Sequence, residues 1–231
     1  MDTVTGWRKL ESDPLIAVYA YSFGPSTVNA LAVGIGDGVM IVSPPCRVDE
    51  SVFSAAAELG HVRALVAPNA FHTLGLAAWK RRFPDAVVFA PAQSIARVSA
   101  RSGVSGIRPL ADAARVCSDR VTLIDMPHYK TGEALVRIRA PRGLVWYVTD
   151  VILNLPKIPA HPVAWLAFGL SGSAPGLRLH RVAPLVMVRD RAALWRWLRS
   201  EIELEPPSLL IPAHGEIVDL AATPGRLAAI F

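Results

Sequence analysis

NALAVGIGDGVMIVSPP, residues 29–45, decides how the rest of the chain reads. Two apolar runs flank GIGDG, whose glycines and aspartate suit the tight turn of a hairpin, so Thr27–Val33 and Val39–Val42 are predicted as paired strands. Upstream, Leu15–Ser22 reads as a strand. Downstream, Val48–Leu59 reads as a helix, with Asp49 and Glu50 suited to its first turn. His61–Ala67 is a buried strand, and a helix follows PNAFHTLG (68–75) until Pro84 stops it. Val87–Ala90 is a short strand and Ala92–Ala100 a small helix.

The second half starts less regularly. Residues 101–120 are mixed loop, then Val121–Asp125 is a strand, and Ala134–Arg139 with Leu144–Thr149 form a second hairpin turned by APRG. Pro156–Pro184 is rich in proline, glycine and serine and reads mostly as loop. Asp190 is placed to cap a helix running to about Glu203, Leu209–Pro212 is a strand, and Leu220–Ile230 reads as a terminal helix, interrupted or started near Pro224. Hairpin, helix and strand, partly echoed, imply a sheet-rich α/β sandwich. One domain over residues 1–231 is expected, because no convincing linker divides the chain.

Composition narrows the classes. Hydrophobic residues make up 52% and mean hydropathy is +0.35, a dense core. No apolar run reaches the ~18 residues of a membrane span without a charge or turn former. The opening MDTVTGWRKLESD lacks the basic start and apolar segment of a secretory leader, so a cytoplasmic protein is expected. The net charge of +5 comes from Lys80–Arg82 and scattered arginines. No basic patch interleaved with aromatics is read, so the expected partner is a small molecule, favoured if anionic, with no nucleic acid and no membrane. The apolar content suits a homodimer as well as a monomer core. Cys46 and Cys117 have no adjacent histidine and read as ordinary thiols.

Three residues stand at the ends of apolar runs: His128 in VTLIDMPH, Asp150 in LVWYVTD and His214 in SLLIPAH. A strand would deliver each to a sheet rim, where imidazole and carboxylate are sound metal ligands. A structural turn or a helix cap would explain them equally. Gly215 after His214 permits a tight turn. His72 sits between a strand and a helix whose N-terminus would favour an anion. Beside it, Asn69 can cap, turn the chain or offer a carbonyl, and Thr73 is as good an N-cap as a catalytic hydroxyl. Asp125, Lys130 and Glu133 are further candidates around His128, with Asp125 suited to orienting a histidine. His61, His161 and His180 have weaker contexts. GxGxxG, GxSxG and HExxH are absent.

Taken in order, these pieces resemble the metallo-beta-lactamase fold superfamily over nearly the whole chain. NALAVGIGDGVMIVSPP is similar to its opening hairpin, APNAFHTLGLAAW occupies the place of the HxHxDH segment, and MPH, YVTD and IPAHG resemble the later histidine, the bridging aspartate and the last histidine. PNAFHTLGLAAWKRRFPDAVVFAP resembles an uncharacterised, divergent branch. The resemblance implies a four-layer αββα sandwich and a metal-dependent hydrolase acting through a metal-activated water.

The departures imply a reduced site. Asn69 and Phe71 stand for the paired histidines, and Thr73 and Leu74 for the aspartate and histidine after them. Ser43 stands where the opening strand often carries a supporting aspartate. The resemblance therefore implies one divalent ion, zinc first, then iron or manganese, held by His128, Asp150, His214 and His72. His72 and Asp150 would carry the chemistry, with His72 as ligand or general base and Tyr129 or Lys130 steadying negative charge. The loops of 156–184, with Trp165 and Phe168, would admit the substrate. The alternative is a non-catalytic binding or scaffold protein that keeps the fold without a metal.

Overall fold

The computed structural model describes residues 3–4, 6–23, 26–158 and 168–231. Eight strands form the first sheet in chain order: β1 (Thr3–Val4), β2 (Trp7–Ser12), β3 (Leu15–Phe23), β4 (Ser26–Ile35), β5 (Gly38–Val42), β6 (Val62–Val66), β7 (Val87–Ala90) and β8 (Arg108–Pro109). The first five pair antiparallel through short turns. β5 to β8 run parallel, because a helix or long loop separates each from the next. The crossovers carry α1 (Glu50–Leu59), α2 (Leu76–Arg82) and α3 (Ile95–Ser102).

The second sheet has the order β15–β14–β11–β10–β9, built from β9 (Val121–Asp125), β10 (Ala134–Ala140), β11 (Gly143–Val148), β14 (Leu209–Pro212) and β15 (Val218–Asp219). Between β11 and β14 the chain makes the antiparallel pair β12 (Ile152–Leu155) and β13 (Gly176–Leu179), then α4 (Ala183–Met187) and α5 (Arg191–Leu204).

Strand alternation sorts the side chains into layers. Leu31, Val33, Met40 and Val42 of the first sheet meet Val136, Ile138, Val145 and Tyr147 of the second in one core. The opposite face of the first sheet, with Ala30, Ala32 and Ile41, packs on Val52, Leu76, Trp79 and Val98 of the first three helices. Leu135, Trp146 and Leu210, on the outer face of the second sheet, pack on Leu194, Leu198 and Ile202 of α5. Each fully buried leucine or isoleucine there contributes about 1.5–3 kcal/mol. These layers make the expected αββα sandwich.

One strand is added and two local expectations change. Trp7–Ser12, for which no element was read, is a strand, although its polar residues gave no apolar alternation. The proline-rich stretch contains the four-residue strand β13, which pairs with β12 just before that stretch. Leu220–Ile230 is not a helix: Pro224 and Gly225 break it into turns that end in a single 3-10 turn at Ala228–Ile230. Among the described residues no helix is long and apolar enough to cross a membrane.

Candidate metal centre

His72, Asp150 and His214 converge at one rim of the sandwich, from the loop after β6, the end of β11 and the end of β14. One ligating atom from each lies within 4.8 Å of the others. His214 Nε2 is 3.1 Å from Asp150 Oδ1, and His72 Nε2 is 3.7 Å from Asp150 Oδ2.

Each side chain is held from behind. Ser43 Oγ meets His72 Nδ1 at 2.7 Å, which turns Nε2 toward Asp150. Ser43 follows β5 with a φ of 54°, an uncommon left-handed backbone for a serine. Asn69 is fully buried and shapes the loop: its Oδ1 accepts from the N–H of Phe71 (2.8 Å) and of His72 (3.0 Å). The turn expected of Asn69 is therefore present. Its Nδ2 faces the other way and donates to Asp150 Oδ2 at 2.7 Å. His214 is fixed through its backbone, bridged to Val28 and accepting from Asn154 N–H at 3.1 Å. Asn29 Nδ2 donates to the carbonyls of Pro212 and Gly215, both at 2.8 Å, and clasps the turn from either side.

Beneath Asp150 lies Glu133, with no exposed surface. Its Oε1 accepts from the Asp150 N–H at 3.2 Å and meets the Thr149 hydroxyl, and its Oε2 accepts from Asn69 Nδ2 at 3.0 Å. Burial, then the charge of Asp150, push the Glu133 carboxyl well above the usual carboxylate range, against the hydrogen bonds from Asn69, Asp150 and Thr149. Burial also works against an ionised Asp150, but the contacts with His214 and His72 outweigh it and hold that carboxyl well below its usual range.

The structure does not bring His128 into this group. Its backbone turns left-handed, with a φ of 67°, and its side chain is exposed. Its carbonyl accepts from Arg189 N–H at 2.7 Å, the next residue bridges to Val188, and its imidazole acts on the Asp190 carboxylate. The strand end points there because the chain must pair with the segment before α5. The neighbour that faces Asp150 is Glu133, which sequence reading ranked behind His128.

Other expected residues are placed as follows. Asp125 accepts from Ala92 N–H at 3.0 Å and does not orient a site histidine. Lys130 is exposed. The Tyr129 hydroxyl is buried without a hydrogen-bond partner among the described residues, within the influence of Glu133 and Asp150, and its proton is held tightly by burial. Thr73 is buried and does not cap α2, which starts after Gly75 and is too short to supply a strong dipole. His61 is exposed, and His161 and Trp165 lie outside the described residues. Phe168 stacks on His180 at 5.3 Å. His180 was passed over in sequence, yet its Nδ1 lies 3.0 Å from the Asp150 carbonyl oxygen, and burial lowers its pKa. RLHR gives no local signal for that contact.

A cavity of about 200 Å³ opens on His72, Asp150 and His214. Tyr21, Val28, Pro44 and Cys46 line it with Phe71 and Leu74, the last two being 42% and 63% exposed. The residues present fit a metal. Two imidazoles and a carboxylate, with one donor atom from each within 4.8 Å of the others, are a set that zinc takes, and His72, Asp150 and His214 would hold it. Among the described residues no second such group gathers, and Phe71 offers no donor.

No family model matches the chain, and no curated protein does. Solved structures do. A flavo-di-iron protein variant from Thermotoga maritima superposes with a TM-score of 0.59 at 11% identity, over 97% of this chain, which spans 60% of that protein. A metallo-beta-lactamase from Pontibacter korlensis gives 0.56 at 11% identity, covering 97% of both chains. The metallo-beta-lactamase FIM-1 from Pseudomonas aeruginosa, in a mono-zinc form, gives 0.57 at 14% identity, over 96% of this chain and 94% of that one. Identities this low establish a shared fold.

Proposed function

We propose that this chain, which has the metallo-beta-lactamase fold, is a hydrolase with a single-ion centre of His72, Asp150 and His214, zinc being the ion. The observation that carries this reading is the spacing of the three donors beside an open cavity. A divalent ion there supplies Lewis acidity and lowers the pKa of a water molecule. Asp150 provides the one negative charge of the donor set, kept ionised by both histidines. Ser43 fixes which nitrogen His72 presents. Phe71, Leu74 and Val28 form an apolar margin that shields the centre from bulk water and accepts an apolar part of the substrate.

The test is the metal content of protein purified without added metal or an affinity tag, with a screen of ester, lactone and phosphoester hydrolysis. Expected is close to one ion per chain, absent from a His72→Ala, His214→Ala variant whose circular dichroism is unchanged, together with hydrolysis that chelation removes and zinc restores. A parent that binds neither zinc, iron nor manganese overturns the reading.

One observation favours a second reading, a non-catalytic binding or scaffold protein. Asn69 already donates to Asp150 Oδ2 at 2.7 Å and both histidines lie against the same carboxylate, so the network closes without an ion. Under that reading the melting temperature is indifferent to zinc and to chelators. Under the first, zinc raises it by mass action.

A further inference from the structure

A second cavity, of about 410 Å³, shares no residue with the one above. Arg181, Arg191, Arg196 and Arg199 line it around Trp195 and Phe231. The sequence reading found no basic patch interleaved with aromatics, although RDRAALWRWLR (189–199) alternates the two on α5; Arg181, before α4, joins them only in the fold. The fold brings them to one concavity.

The charges there are poorly balanced. Arg199 pairs with Glu203 at 2.9 Å, an exposed i,i+4 contact of little strength. Asp190 feels Arg196 but spends its carboxylate capping α5, accepting from Ala193 N–H at 2.9 Å. Arg181, Arg191 and Arg196 have no ion-pair partner among the described residues. Arg191 is moreover the first residue of α5, where a positive charge opposes the helix dipole, so helix stability does not account for it. Leu194, Leu198 and Ile202 are buried against the second sheet, while Arg191, Arg196 and Arg199 of the same helix are exposed beside that face. Trp195 is half-buried against the core beneath α5 and lines the cavity together with these arginines, and Leu179 adds an apolar floor.

We propose that this groove binds a nucleoside phosphate. Guanidinium groups grip phosphate oxygens in pairs, and an indole face accepts any base by stacking. The cavity is too large for a lone phosphate and falls in the size range of small-ligand sites. The ring at its centre separates this chemistry from that of a simple anion sink. The base and phosphate come from a free nucleotide, and the same groups would meet one residue of a single strand.

The test is calorimetric titration of the full chain with adenosine monophosphate, inorganic phosphate and a twelve-residue oligothymidylate at fixed salt. Expected is adenosine monophosphate binding that weakens about tenfold or more in Arg191→Ala, Arg196→Ala and about tenfold in Trp195→Leu, where phosphate binding is unchanged. Trp195→Phe keeps a stacking face and restores most of the affinity, so misfolding of the leucine variant cannot imitate the result. Asp150→Asn leaves binding unchanged, which separates this groove from the metal-site cavity. Tighter oligothymidylate binding with the same variant sensitivities supports the chemistry and makes the strand its source. No binding by any probe, or binding indifferent to Trp195→Leu, overturns the proposal.

Discussion

Ser43 Oγ and His72 Nδ1 lie 2.7 Å apart, so the residue that ends the opening hairpin orients an imidazole from the next loop. The left-handed backbone at Ser43 aims the hydroxyl there. Removing it in Ser43→Ala frees the ring without touching a ligand. Zinc affinity is expected to fall about 10–100-fold, the usual cost of losing such a support. The measurement is competition against a chromophoric chelator, and an unchanged affinity would show that Ser43 does not position His72.

The two histidines that sequence reading treated alike should now separate. His214→Ala removes a donor from the group around Asp150, whereas His128→Ala alters an exposed side chain on a turn. Metal stoichiometry should drop to near zero in the first and stay at the parental value in the second. Elemental analysis of both proteins decides it, and equal losses would return His128 to the centre.

Gly215 has a φ of 106°, and a Cβ there would strike the Asn154 carbonyl. Gly215→Ala should cost more than about 1 kcal/mol, lowering the melting temperature by roughly 3 °C or more. It should weaken metal binding as well, because the same turn carries His214. Gly106→Ala is the control: it also has a positive φ, 69°, but open space where the Cβ would go. Equal effects at both positions would make backbone strain the whole cause and remove the collision.

Cys117 gives a pH dependence. Burial pushes its thiol from 9.0 up to about 11. At pH 8 only about one thiol in a thousand is ionised, so alkylation by iodoacetamide should be slow and rise about tenfold per pH unit up to pH 10. The sign for stability follows. Above about pH 9 the unfolded chain loses this proton while the folded chain keeps it, so stability falls as pH rises toward 11. Peptide mapping after timed alkylation reads the first effect. A rate that levels off near pH 9 would show an ordinary thiol.

The rim residues were legible where an apolar strand simply ends. Tyr147 and Val148 are buried and Asp150 follows; Leu210 and Ile211 are buried and His214 follows. His128 carries the same signature, but what happens after a strand depends on partners distant in sequence, here Val188 and Arg189. Glu133 and His180 were obscured for the same reason, since only the assembled fold brings them against Asp150. The layers were readable because β4, β5, β10 and β11 are near-continuous apolar runs, buried along most of their length. The four-residue strands β12 and β13 were not, because their pairing with each other depends on register across a turn-rich stretch. The terminal segment misled because its alanines and leucines carry helix propensity that Pro224 and Gly225 interrupt.

β14 lies parallel to β11 and is among the last strands the chain makes. A nascent chain ending before it would carry His72 and Asp150 but lack the third donor. On the proposed reading an ion would meet its full donor set only once β14 has joined β11, so it would latch the closed sandwich rather than template the early sheet. Metal supply should then govern how long the finished protein survives rather than how fast it is made.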